Sequence, residues 1–225
     1  MDNDAKISSS KSKACAFFGS VWFRCITVLL VLSVILGGTL TILNDVLYVS
    51  PEERTDRAIK KLYDGNIPTY SVILDVDSAI DGVDKTAIEF NLDGDQNIEG
   101  KINKIYNISG ENGEYDLLFQ SLGFEGYKGG SITVWVKVKN TADGKKIVEQ
   151  VLLQSYDKQT LMSKLNGTYY NKYLVDVTEA YKNGQFFTTE NGKGQFTNAV
   201  SGATYSANAG NNAVNCVIAY IGGAN

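Results

Sequence analysis

SITVWVKV (residues 131–138) and IVEQVLLQ (147–154), with NTADGK (140–145) between them, read as the two strands of a β-hairpin. Ile132, Val134, Val136 and Val138 recur at every second position, which gives the first strand one wholly apolar side. The Asp143-Gly144 turn is longer than the two residues of the tightest hairpins. Upstream, alternating or β-branched runs at Tyr70–Leu74, Ala87–Leu92, Lys101–Ile108 and Tyr115–Gln120 predict four more strands. Downstream the period lengthens. A short helix is expected from an Asp157 cap through Lys164, with Leu161, Met162 and Leu165 inward. A second is expected over Val177–Tyr181. A last one runs from Thr204 or Tyr205 to about Tyr220, its apolar stripe being Val214, Val217, Ile218 and Ile221. Strands first and helices after give an α+β domain, a mixed and mainly antiparallel sheet with flanking helices.

In front of this domain stands CITVLLVLSVILGGTLTILN, residues 25–44, without a charge. As a helix it is about 30 Å long, enough to cross a bilayer core. Trp22 and Tyr48 flank it where aromatic belts form. A cleaved signal peptide competes with a retained anchor, but its apolar region would be shorter and would end in small-x-small, for which Gly37-Gly38-Thr39 is a poor match. The expected organisation is a segment 1–24, a transmembrane helix 25–48, a stalk helix 49–66 opened by the capping box Ser50-Pro51-Glu52-Glu53, and a domain 67–225. Lys6, Lys11, Lys13 and Arg24 precede the span against Asp2 and Asp4, so the positive-inside rule puts the N-terminus in the cytoplasm and the domain outside.

The 225 residues include no His, three Cys and a formal net charge of −4. Without His there is no Ser-His-Asp or Cys-His pair and no imidazole ligand. Three Cys cannot make a four-thiolate site within one chain. Beyond the span stand 17 cations against 23 acids, a net −6 with no basic cluster, which argues against nucleic acid as a partner. Asp93–Asn97 opens like a calcium loop, but Ile98 and Lys104 hold the places where the turn Gly and the bidentate acid belong, so a solvated turn is expected.

Two stretches are candidate binding elements. Gly126-Tyr127-Lys128-Gly129-Gly130 reads either as a tight turn or as a wall that a ligand approaches closely. Asn198-Ala199-Val200-Ser201-Gly202-Ala203-Thr204-Tyr205-Ser206 precedes the last helix with small residues and hydroxyls. It reads as an ordinary N-cap or as an anion site, where free N–H groups and the helix dipole favour phosphate.

Ser201-Gly202-Ala203-Thr204 followed by Tyr205-Ser206 resembles the flavinylation motif of the FMN-binding domain family. That family includes flavin-carrying subunits of the Rnf ion-translocating electron transport complex and of the sodium-pumping NADH:quinone oxidoreductase. The resemblance extends to one N-terminal membrane helix, to the glycine turn and strand over Gly126–Val138, and to a motif about 20 residues from the C-terminus. It covers roughly the last 100 residues. It implies FMN joined to Thr204 by a phosphoester that a dedicated flavin transferase forms, with Ser201, Gly202 and Ala203 as the recognised lead-in. It further implies Tyr127, Gly129, Thr160, Leu161, Met162 and Tyr205 near the flavin, although Tyr127, Leu161, Met162 and Tyr205 also read as ordinary core side chains. The implied role is an electron-transfer subunit beside other membrane subunits of an electron transport complex in the lipid bilayer, not a self-sufficient enzyme. A free-standing anchored carrier and a non-redox interaction domain are the alternatives. This chain differs from the family in having Asn198 where Asp is usual, and Tyr156–Met162 where the Rnf and sodium-pump subunits carry His-x-Glu-Thr-Pro-Gly. Gln159-Thr160 then stands in place of Glu-Thr.

Overall fold

The computed structural model describes residues 21–92, 98–109, 115–190 and 195–223, and the chain divides into two units, Met1–Ser50 and Pro51–Asn225. The first contains helix α1, Val21–Leu47, 27 residues with none buried. It starts four residues before the expected span and is long and apolar enough to cross a membrane. Its hydroxyls are satisfied within the helix: Thr27, Ser33, Thr39 and Thr41 donate to the carbonyls of Phe23, Leu29, Ile35 and Gly37. That is the arrangement an apolar environment demands.

The second unit opens with helix α2, Pro51–Leu62. Proline at its first position fits the helix start, and Gly65 at φ +89° follows its end. The strands are β1 (Tyr70–Asp75), β2 (Ile88–Leu92), β3 (Ile98–Ser109), β4 (Tyr115–Gly123), β5 (Ile132–Asn140) and β6 (Lys146–Tyr156). They form one antiparallel sheet in the order β1-β3-β4-β5-β6. Strand β2 also pairs with β3, at Ile98–Ile102, while β1 takes Lys104–Ile108 of the same strand. A register shift between Ile102 and Lys104 lies between the two pairings, in the ladder with β4. After β6 come 3-10 turns at Met162–Leu165 and Gly167–Tyr173, helix α3 (Val177–Lys182) and a two-residue parallel pair, β7 (Phe187–Thr188) with β8 (Phe196–Thr197). Helix α4, Thr204–Gly222, closes the fold.

Both faces of the sheet are covered. Ile132, Val134, Val136 and Val138 join the main core with Val214, Val217 and Ile218 of α4. Trp135, on the opposite face, packs with Tyr106, Ile108 and Leu118 beneath Ala58, Ile59 and Leu62 of α2. The expectation of a separate stalk over 49–66 is therefore corrected: the apolar side of α2 needs the sheet, and the helix belongs to the compact unit. Helix α4 is buried from Ala209 to Ala219 on every side, not along one stripe. It approaches the sheet closely because Gly123 lies under it, where a Cβ would fall 2.0 Å from the Ala209 carbonyl oxygen.

The helix expected over Asp157–Lys164 does not form. The Asp157 amide donates to the Ser131 carbonyl, which prolongs the sheet, and Lys158 turns left-handed at φ 55°. Leu165 is buried and Met162 is partly covered, but Leu161 is exposed. Asp93–Asn97 lies outside the described residues.

Candidate functional site

Three segments converge at the N-terminus of α4. The first is the turn before it. Gly202 adopts φ +77°, the Ala203 amide donates to the Val200 carbonyl, and Ala203 occupies the N-cap position with no side chain to bond the first-turn amides. The first helical bond at this end runs from the Ala207 amide to the Ala203 carbonyl, so the amides of Thr204, Tyr205 and Ser206 have no intrahelical acceptor. Thr204 is exposed, and its hydroxyl makes only a 3.5 Å contact with the Val200 carbonyl.

The second segment is the glycine turn. It is closed by the Gly126 amide on the Gly130 carbonyl and the Gly130 amide on the Tyr127 carbonyl. The third is the loop that ends β6. Gln159, buried there, joins all three. Its Oε1 accepts from the Tyr127 amide (3.1 Å) and the Ser206 hydroxyl (2.7 Å), and its Nε2 donates to the Asp157 carbonyl (2.8 Å). The glycines make room for it: a Cβ at Gly126 or Gly130 would fall 2.4 or 2.6 Å from Nε2. The glycine turn is thus a tight turn, and Tyr127 is the residue of it that lines the cavity between the three segments.

These segments enclose an open cavity of about 250 Å3 lined by Tyr127, Thr160, Leu161, Gly202, Ala203, Thr204, Tyr205 and Ser206. Among the described residues, no ionised side chain lines it. Of the residues singled out from the sequence, Tyr127, Thr160, Leu161, Gly202, Ala203, Thr204 and Tyr205 come together here. Ser201, Gly129 and Met162 do not line it. Ser201 contributes its carbonyl, which accepts from Lys164 Nζ at 2.8 Å, and Gly129 adjoins Tyr127 at φ +67°. Nothing in the sequence marks Lys164 as a site residue; the 3-10 turn brings it beside Gly202.

Backbone strain gathers around this cavity. Among the described residues, the non-glycine positions with positive φ are Asp64, Glu125, Lys128 and Lys158. The last three sit in the two loops beside the cavity, and each such residue costs about 1–2 kcal/mol. Strain of this kind concentrates where a fold holds a ligand.

Asparagines of α4 fasten the loops from behind. Asn208, Asn211, Asn212 and Asn215 recur at helical spacing. Asn212 Nδ2 donates to the Phe124 carbonyl, and Asn208 Nδ2 to Glu125, just before the glycine turn. Asn215 pairs with both backbone groups of Phe187 at 2.8 Å. Asn211 donates to the Asn198 carbonyl and accepts from Asn198 Nδ2 and the Tyr173 hydroxyl, which in turn contacts the Tyr169 hydroxyl. Burial pushes Tyr169 up to about 12 and Tyr173 well above the usual tyrosine range, so this network is neutral. Asn198 Oδ1 is buried without a hydrogen-bond partner. The sequence signal was four asparagines on an otherwise apolar helix, since a buried amide must find partners.

No family model matches the chain, and no curated protein or solved structure matches it either.

Proposed function

We propose that the chain is a membrane-anchored flavoprotein, its 51–225 unit outside the cytoplasm, carrying FMN as a phosphoester on Thr204. It serves as an electron-relay subunit of a complex like Rnf or the sodium-pumping NADH:quinone oxidoreductase. The observation that carries this reading is Thr204: an exposed hydroxyl at an uncapped helix N-terminus, at the edge of a cavity walled by the aromatic and aliphatic side chains of Tyr127, Leu161 and Tyr205.

The residues present fit such a group. Thr204 Oγ1 would carry the phosphate ester. The amides of the first turn of α4, and Lys164 beside Gly202, would offset the remaining phosphate charge. Among the described residues, no carboxylate lines the cavity to repel it. FMN supplies one- and two-electron transfer. The protein holds the ring's surroundings in place: Gln159 fixes Tyr127 and Ser206 relative to one another, and the αL residues hold the loop shapes. A cavity of about 250 Å3 lies below the roughly 300–1,000 Å3 of clefts that enclose a ligand. An open edge suits a carrier that must meet its donor and acceptor. The stretch Tyr156–Met162, lacking His-x-Glu-Thr-Pro-Gly, favours a second reading in which the same flavoprotein stands alone as an anchored carrier.

The test is in-gel flavin fluorescence of the boiled, denatured full chain, produced in cells that possess the flavin transferase. The expected result is a fluorescent band that Thr204→Ala abolishes. A dark wild-type band would overturn the flavoprotein reading. Co-purification with integral membrane redox subunits separates the complex from the free-standing carrier.

A further inference from the structure

We infer that a second site, the groove between α2 and the outer face of β5–β6, seats the phosphate headgroup of an anionic phospholipid. The groove measures about 370 Å3, and its lining includes Arg54, Arg57 and Lys61 of α2 above Trp135, Leu152 and Gln154 of the strands. The cations follow at spacings of three and four, so they share one side of the helix. Among the described residues, no carboxylate lines the groove. Three of the nine lining residues are cations, although residues 45–225 carry only 17 cations against 23 acids. Of the acids of α2, Asp56 accepts from the Tyr70 hydroxyl, whereas Glu53 pairs with Arg57 itself at 2.6 Å, where both are more than half exposed. Such an exposed pair is held weakly, and Arg57 can exchange it for a phosphate. The apolar floor of Leu152 and Leu153 suits the glycerol and first methylenes of a lipid better than it suits a small hydrated anion.

A lipid phosphate is favoured by where α2 stands in the chain. Helix α2 begins four residues after the apolar helix ends. The headgroups of the leaflet on that side are the phosphates continuously within reach. This inference rests on the membrane-anchor part of the proposed function and is independent of flavin. Each Lys or Arg near an anionic bilayer surface strengthens binding about fivefold, so the three together are expected to contribute about a hundredfold.

The experiment uses the full chain in nanodiscs of phosphatidylcholine alone or mixed with phosphatidylglycerol, with hydrogen exchange followed at amides 54–62. Phosphatidylglycerol is expected to slow exchange at least fivefold, and Arg54→Gln/Arg57→Gln/Lys61→Gln to abolish that slowing while Trp135 fluorescence, read in a Trp22→Phe background, stays unchanged. Equal exchange in the two kinds of disc overturns the inference, as does slowing that survives the triple substitution. Equal slowing on adding glycerol 3-phosphate or inorganic phosphate to phosphatidylcholine discs would assign the groove to a soluble anion and overturn the lipid assignment. A chain that fails to enter discs removes the anchor reading and this inference together. A chain that enters them without a phosphatidylglycerol effect removes the inference alone.

Discussion

The two faces of the sheet solve the same problem, buried polar groups, in opposite ways. Under α4 the groups are neutral: Asn198, Asn211, Asn215, Tyr169 and Tyr173 exchange hydrogen bonds among themselves and with loop backbone. Under α2 they are charged. Lys104, with 3% of its side chain exposed, bonds Asp75 at 2.9 Å and Asp77 at 3.1 Å, and the Tyr106 hydroxyl donates to Asp75 at 2.5 Å. Amides can satisfy several loops at once without a counter-charge, so the neutral face is where three segments can be held around a cavity. A buried ion pair fixes one geometry strongly, and here it ties the segment after β1 to β3. The faces should therefore fail differently.

The largest expected effect is on the charged face. Lys104→Met leaves the Asp75 carboxylate buried without its cation, which costs about 3–5 kcal/mol. Urea unfolding of the full chain in detergent, followed by tryptophan fluorescence in a Trp22→Phe background so that Trp135 alone emits, reads this directly. Adding Asp75→Asn should recover more than half of the loss, since it neutralises the stranded charge. A Lys104→Met loss under about 1 kcal/mol, the range of an exposed pair, would show that the contrast between the faces is not energetic.

The neutral face is expected to be more forgiving. Asn211→Leu strands the Tyr173 hydroxyl and the Asn198 amide and should cost about 1–3 kcal/mol. Its pH response has a definite sign. Tyr169 is raised by burial from about 10 to about 12, and the Cys216 thiol is raised by burial from its usual 9 to about 12. Groups raised in the folded state give stability that is complete below their unfolded values and is lost above them. The urea midpoint should be flat up to about pH 9 and fall from there toward pH 12. A midpoint that stays level through pH 11 would show that these groups titrate as in the unfolded chain.

How much of this contrast the sequence revealed depends on the range of the interactions. The six strands were legible because alternation is local, and Ile132, Val134, Val136 and Val138 face the core they were expected to face. Of the seven residues that meet at the cavity, Tyr127 and Gly202–Tyr205 lie in the two stretches read from the residues themselves; the family resemblance added Thr160 and Leu161, and it is the fold that puts these beside Tyr127. Gln159 was noted only as standing in place of a Glu, and its bonds to Tyr127 and Ser206, like those of the α4 asparagines, were missed because the partners lie up to 88 residues away along the chain. The β7–β8 pair was missed because two residues carry no period. The supposed Asp157–Lys164 helix shows the reverse error, a local cap pattern overruled by the bond from the Asp157 amide to Ser131.

A smaller effect separates strain from packing at the cavity. Lys158→Gly removes the left-handed penalty but adds backbone freedom to the unfolded chain, so it should raise stability by up to about 1 kcal/mol. If the strain serves to hold the loop against a flavin, the same substitution should broaden the visible flavin circular dichroism while the urea midpoint rises. A rise in stability with an unchanged flavin signal would make the strain incidental to the site.

The smallest expected change in stability belongs to the residue with the largest expected change in function. Thr204 is exposed, is not the helix N-cap, and makes one contact at the limit of hydrogen bonding. Thr204→Ala also replaces a β-branched residue by the best helix former, so the two small terms oppose each other. The unfolding free energy of flavin-free protein, from urea titration, should change by no more than about 0.5 kcal/mol. A hydroxyl that the fold does not use, placed where a helix presents open amides, is free to bear a bond to something else. A loss of about 2 kcal/mol, the upper range for removing a helix cap, would make Thr204 a structural residue whose hydroxyl is already committed.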